Sequence, residues 1–231
     1  MTTTTSRLRD QSAVADTGRI EAFSDGVLAI ALTLLILNVA VPSSAYGNLG
    51  SAVLRLWPAY VSFLASFAFI AVIWLNHHAA FRRIRSVDRA LIWANMGLLL
   101  GAVIVPFPTA LLANAFGSGT YASEQVATLV YALVGVFMAA NWFVFFYAVH
   151  HHNHLAHEWV PRGIWRTERY RALLGIAVYV VAGALGVLVH PVIGLILFCV
   201  LPVFYALSSD GLPLGGANAS GRERPVEPLD E

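Results

Sequence analysis

The sequence predicts an all-α membrane protein with six transmembrane helices per chain. Three observations point there: long uncharged apolar runs, helix breakers that cut those runs at crossing length, and arginines gathered into alternate connections. Of 231 residues, 58% are apolar and only 12% are charged, where a soluble domain carries about a quarter charged. A buried core does not account for the deficit, because the uncharged residues come in unbroken stretches. Lipid is the solvent that tolerates them. A helix needs about 20 residues, at roughly 1.5 Å each, to cross the hydrocarbon layer.

Residues 26–54 carry no charge, but Pro42-Ser43-Ser44 and Gly47-Asn48 interrupt them. The first span is therefore expected from near Arg19 to near Val41. The second occupies 56–76 and opens on Trp57-Pro58, with proline tolerated in a first helical turn. The third covers 90–113 and is interrupted at Pro106-Phe107-Pro108. The fourth covers 125–149. The last run, 172–209, is too long for one crossing, and His190-Pro191 divides it into spans near 172–189 and 191–208. Residues 1–18 and 209–231 are polar and read as disordered cytoplasmic tails, leaving 19–208 as a six-helix transmembrane domain.

All fourteen basic residues are arginine. Arg7, Arg9 and Arg19 precede the first span. Arg82, Arg83, Arg85 and Arg89 fill the connection after the second, Arg162, Arg166, Arg169 and Arg171 the connection after the fourth, and Arg222 and Arg224 lie in the tail. Only Arg55 falls on the other side. By the positive-inside rule both termini are cytoplasmic and the chain is a multi-pass protein of the cell membrane. The N-terminal arginines, the first apolar stretch and Val41-Pro42-Ser43-Ser44-Ala45 imitate a cleaved signal peptide. Glu21 and Asp25, however, stand where such peptides carry basic flanks. The net charge of +1 gives no basis for nucleic-acid binding. Cys199 sits alone in an apolar run and is read as packing. No internal duplication is visible, so a central pathway would have to be built from several chains.

The first span holds the most informative residues. On a helical wheel with about 100° per residue, Phe23, Gly26, Thr33, Leu34, Leu37 and Val41 fall within about 60° of Ile30. One stripe is apolar along its length, softened by a single hydroxyl. Such a stripe on a membrane helix usually meets lipid or a neighbouring helix. Asp25 lands on the back. A carboxylate in a membrane needs a partner, and the antiparallel return of the second span places Trp74, Asn76, His77 and His78 at its depth, with Asn95 arriving on the third. Ser24, Asp25, His77 and Asn95 are expected to form one polar cluster. A structural clamp, a protonation switch through His77 and ion coordination by Asp25 all remain open, the last disfavoured because the wheel turns Asp25 away from the stripe.

Arg19-x-x-x-Phe23-Ser24-Asp25-Gly26 followed by Ile30-x-x-Thr33-Leu34-x-x-Leu37 closely resembles the signature of the transmembrane protein 175 family of cation channels. Trp74-x-Asn76-His77-His78 resembles that family's second-helix motif, and Pro106-Phe107-Pro108-Thr109 fits its single-repeat bacterial members. The resemblance covers nearly the whole membrane region and leaves out the tails and the histidine-rich loop. It implies a homotetramer in a lipid bilayer with four first helices lining a central pore. It implies potassium permeation with weak discrimination against sodium, and some members also pass protons. By position, Ile30, Leu34 and Leu37 correspond to the hydrophobic constriction and Thr33 to a hydroxyl layer. Arg19, Phe23, Ser24, Asp25, Trp74 and His77 correspond to a hydrogen-bond network at the pore helix, to which Asn95 is added. No cofactor is expected beyond the permeant potassium ion.

No Thr-Val-Gly-Tyr-Gly loop occurs, so a filter of stacked carbonyls is not available. Two other functions compete. His150-His151-His152-Asn153-His154-x-x-His157 supplies metal-binding residue types, yet a membrane metal-dependent oxidoreductase needs several separated boxes, and His77-His78 is the only other cluster. A secondary ion or proton transporter usually shows internal repeats and broken helices at the midplane; Pro106 and Pro108 offer the break without the repeat. No nucleotide-binding loop or nucleophile triad occurs in the soluble segments.

Overall fold

The computed structural model describes the backbone of residues 2–40 and 48–208, with side chains between 17 and 206 apart from Asn153. Residues 41–47, which include Val41 of the expected stripe and the connection at Pro42-Ser43-Ser44, and the tail 209–231 lie outside the described residues. Among the described residues every regular element is a helix, without strands: α1 (Thr2–Leu34), α2 (Leu49–Arg55), α3 (Trp57–Phe81), α4 (Arg89–Ile104), α5 (Pro106–Ser118), α6 (Tyr121–His151), α7 (Arg162–Leu188) and α8 (Pro191–Ser208). Two 3-10 turns, Leu35–Asn38 and Asn153–Leu155, follow α1 and α6.

Five stretches are long and apolar enough to cross a bilayer: Thr17–Asn38, Trp57–Phe81, Arg89–Ser118, Tyr121–His151 and Arg162–Leu188. A sixth apolar helix, Pro191–Ala206 in its described part, is shorter. The division at His190-Pro191 falls where expected. The third span does break at its prolines. Pro106 and Pro108 have no N–H to donate, so α4 stops at Ile104 and α5 resumes at Pro106, while Val105 between them keeps helical angles. The Val105 carbonyl is then served twice, by the Thr109 N–H at 3.2 Å and the Thr109 hydroxyl at 2.7 Å.

Two expectations need correction. Residues 2–16, read as part of a disordered tail, continue α1 as helical backbone; no glycine or proline occurs before Gly18 to stop the helix. The four arginines assigned to the connection after the fourth span belong instead to the first turns of α7, which starts at Arg162 behind Pro161. Charge marked them as loop, but their spacing is helical: Arg171 reaches back to Glu168 at 3.2 Å.

Small residues let the outer helices approach closely, as membrane helices do without a hydrophobic driving force. A side chain on Gly135 of α6 would fall on the Tyr179 ring of α7, and one on Gly186 of α7 on the Thr128 methyl of α6. Aromatic rings fill the space between, with Phe69, Tyr131, Tyr179 and Phe198 buried together. Mid-bundle, Ser66 joins α3 to Thr109 of α5 at 2.7 Å and to Tyr131 of α6 at 3.0 Å, so no hydroxyl of the trio is left alone in the apolar interior.

At the arginine-rich end the two connections are sewn together. The N–H groups of Arg85 and Ser86 donate to the Leu155 carbonyl at 2.7 and 3.3 Å, and that of His157 to the Arg83 carbonyl at 3.1 Å. Asp88 caps α4, accepting the Leu91 N–H at 2.8 Å, and also pairs with His152. Burial pushes the Asp88 carboxyl up, but the Leu91 N–H and the His152 imidazole outweigh it and hold the group below its ordinary value of 3.8.

Two predictions arise. Gly135→Ala should destabilise the protein by about 1–3 kcal/mol through overpacking on Tyr179, whereas Gly117→Ala, with open space around it, should leave the thermal midpoint in detergent nearly unchanged. For Asp88 the depressed folded-state pKa means its contribution is complete above the ordinary carboxylate value and lost as pH falls through the folded one. Asp88→Ala should lower stability by about 1 kcal/mol near neutrality through loss of the cap, and its gap from wild type in melting curves should close below about pH 4.

Candidate functional site

α1 packs on α3 and α4, and its two faces differ. Ser24, Leu28, Ala31 and Leu35 are buried against the bundle, which is the back of the helical wheel. Phe23, Gly26, Ile30, Thr33, Leu34 and Leu37 are all exposed; Ile30 is 60% and Leu37 74% accessible. Of the five long spans this one is the least buried, at 22% of its apolar window against 33–50% for the others. From Phe23 to Leu37 the expected stripe is therefore present and, within one chain, uncovered. The Thr33 hydroxyl donates to its own helix at the Ile30 carbonyl, 2.9 Å away. Its proton is occupied and its lone pairs face outward.

The back of α1 is held by a polar relay. Ser24 donates to the Ile20 carbonyl at 2.8 Å and accepts from the Asn95 side-chain NH2 at 2.9 Å. The Asn95 oxygen in turn lies 2.8 Å from His77 Nε2, which must be the donor, because an amide oxygen only accepts. All three side chains are buried. His77 stacks on Phe81 with ring centroids 4.4 Å apart, and its Nδ1 is buried without a partner.

Asp25 is not part of this relay. Its carboxylate accepts from Trp74 Nε1 at 3.0 Å, on the half-exposed flank of α1. The single cluster expected from depth is thus two neighbouring contacts, one buried and one partly open. Arg19 and Phe23 are exposed and join neither contact within one chain.

Glu21 and Asn38 were not anticipated as partners, and His78, expected at the depth of Asp25, pairs elsewhere. Glu21 lies 3.0 Å from His78 Nδ1, and His78 stacks on Trp74 at 6.0 Å. The pairs Glu21/Asp25 and Trp74/His78 each have the four-residue spacing of helix neighbours, which was the available signal. Asn38, ending the 3-10 turn, donates to the Pro106 carbonyl at 3.0 Å. Nothing in its local sequence marks that partner.

The histidine-rich loop goes elsewhere. His152 meets Asp88, His151 packs its ring on Tyr147 at 4.3 Å, and His152 and His154 stack at 5.9 Å. Among the described residues no group of three or more His, Cys, Asp or Glu converges as a metal site would require.

Fold and site together define a multi-pass helical membrane protein whose first span is clamped from behind and bare in front. Comparison with known proteins sharpens this. The family profile described as the endosomal/lysosomal potassium channel TMEM175 matches residues 19–106, the stretch that holds the stripe, the relay and the proline break. A potassium channel of Streptomyces collinus is 40% identical over 161 residues, covering 69% of this chain and 77% of the relative. The human endosomal/lysosomal proton channel TMEM175 is 38% identical over 90 residues, 35% of this chain and 17% of that much longer protein. Among solved structures, the crystal structure of a lysosomal potassium-selective channel TMEM175 homolog from Chamaesiphon minutus superposes with a TM-score of 0.74 at 36% identity, over 85% of this chain and 99% of that one. The chain belongs to the TMEM175 family.

Asn95→Ala should strand the His77 Nε2 donor in an apolar interior, at about 1–3 kcal/mol, while Ser24 keeps its bond to the Ile20 carbonyl. Asp25→Ala should cost less in melting experiments, because its bond is half-exposed. An Asp25 variant less stable than the Asn95 variant would show that the charged contact, not the relay, holds α1.

Proposed function

We propose that this chain is one subunit of a homotetrameric, potassium-permeable cation channel of the cell membrane, with four copies of α1 lining the pore. The observation that carries the reading is the uncovered stripe on α1. It runs through the segment that matches the family, on a helix whose opposite face is pinned to the bundle, and partner copies would cover it.

In such a pore Ile30, Leu34 and Leu37 offer no ligand to a cation. Rings of these side chains narrow the pathway and expel water, leaving the ion's hydration cost unmatched; dewetting of this kind is a recognised gate. A small rotation or dilation of α1 would widen the rings enough for a largely hydrated ion. The outward lone pairs of Thr33 would then be the nearest protein oxygens, which supports modest selectivity for potassium over sodium. The clamp of Ser24, Asp25, Trp74, His77 and Asn95 acts as a support that fixes which face of α1 looks inward, with Arg19 and Phe23 at the inner mouth. α8 has 18 residues, about 27 Å of helix, at the lower end of crossing length. A sixth crossing there returns the C-terminus to the arginine-rich side, so both termini are cytoplasmic.

Planar-bilayer recording of the purified chain in asymmetric potassium and sodium tests this. Discrete unitary steps with a reversal potential modestly displaced toward potassium are expected; smooth, saturable flux without steps would favour a transporter. Ile30→Asn should raise the basal open probability or leak at least about tenfold, the effect of removing roughly 1.4 kcal/mol of barrier. Unchanged conductance in that variant would remove Ile30 from the constriction.

A further inference from the structure

The histidine-rich end of α6 and the arginine-rich start of α7 carry a second organised surface. Arg169 lies over two rings of α6, with its guanidinium carbon 5.7 Å from the centre of Phe143 and 5.6 Å from that of Tyr147. Its Nε is buried and has no hydrogen-bond partner, and among the described residues no carboxylate pairs with it. One turn earlier Arg166, exposed, lies 5.7 Å from the Tyr170 ring. His151 completes the surface with its ring against Tyr147.

We propose that this surface binds the headgroup of an anionic phospholipid. Three observations argue for that occupant. First, among the described residues no acid pairs with either cation: Glu168, the nearest in sequence, lies 3.7 Å from Arg83 and 3.2 Å from Arg171, and Glu158 lies 3.8 Å from Arg85. Second, Arg169 has its Nε buried and its guanidinium held against two aromatic faces, so an incoming phosphate meets an oriented, planar donor rather than a mobile one. Third, the same face of α7 turns apolar one step into the membrane, where Leu173 and Val180 are exposed in register with Arg166 and Arg169. A phosphate at the arginines with an acyl chain along Leu173 and Val180 satisfies both parts, and basic sites between helices at the inner membrane edge are where anionic headgroups bind. Free phosphate would use only the first.

The test uses the full chain, delipidated in detergent and titrated with phosphatidylglycerol or phosphatidylcholine while bound lipid is counted by native mass spectrometry. Wild type should retain phosphatidylglycerol selectively. The double variant Arg166→Gln, Arg169→Gln should bind it about fivefold more weakly per arginine removed, Arg169→Lys should fall between, and Arg55→Gln should match wild type. Equal retention of the two lipids by wild type, or undiminished binding by the double variant, overturns the proposal. If the double variant does not fold, wild type is melted with short-chain phosphatidylglycerol, short-chain phosphatidylcholine or inorganic phosphate. A rise of the midpoint with phosphatidylglycerol alone supports the lipid site; an equal rise with inorganic phosphate identifies a free-anion site and overturns it.

Discussion

The arrangement of the site depends on one side chain, Asn95. In a membrane interior a polar group has no water to fall back on, so each donor and acceptor must find a protein partner. Asn95 gives its NH2 to Ser24 on α1 and its oxygen to His77 on α3, tying the first three spans at one depth. Rotating α1 by one residue, about 100°, would carry Ser24 out of reach and leave buried polar groups unmatched. The relay therefore fixes more than distance. It decides that Leu28, Ala31 and Leu35 face the bundle and that Ile30, Leu34 and Leu37 face away.

The other end of α1 is fixed by a different device. Proline at 106 and 108 breaks the third span, and the Pro106 carbonyl at that break accepts from the Asn38 side chain. The helix between the two attachments is not uniform. It is α-helical to Leu34 and tightens to a 3-10 turn from Leu35 to Asn38, and such a change within a span is a common place for a hinge. Of the proposed constriction, Ile30 and Leu34 lie below that change and Leu37 above it. In a pore made of four such helices, a shift at the 3-10 turn would move the outer ring while the Asn95 relay keeps the inner one in place.

Much of this was legible in the sequence, because the membrane imposes strong and local rules. Uncharged runs, the proline break and the wheel of the first span rest on chain length, missing N–H groups and helical period, and the described helices follow them. The α1 faces came out as the wheel gave them. What was not legible involves choices among partners at similar depth. Asp25 had Trp74, Asn76, His77 and His78 within one turn of α3, and only packing could assign it to Trp74 and leave His77 for Asn95. The arginines of α7 misled for a related reason. A charged residue at a membrane edge reads as loop by hydropathy, although a helix running past the bilayer surface places such residues equally well.

The contrast between α1 and the outer helices bears on how the protein would move. α6 and α7 meet through glycines, with Tyr179 against Gly135 and Thr128 against Gly186, and close-packed contacts of that kind resist displacement. α1 has the least buried apolar surface of the five long spans, and elements that open at low free energy are drawn from such regions. The connection between them is specific: the loop after α6 holds Asp88 through His152, Asp88 caps α4, and two turns along α4 Asn95 holds α1. A rigid outer pair thus positions the cap of the helix that fixes the rotation of the loose one. The first helix, proposed to line the pore, can be weakly packed without losing its orientation because hydrogen bonds from Asn95 and Trp74 set that orientation.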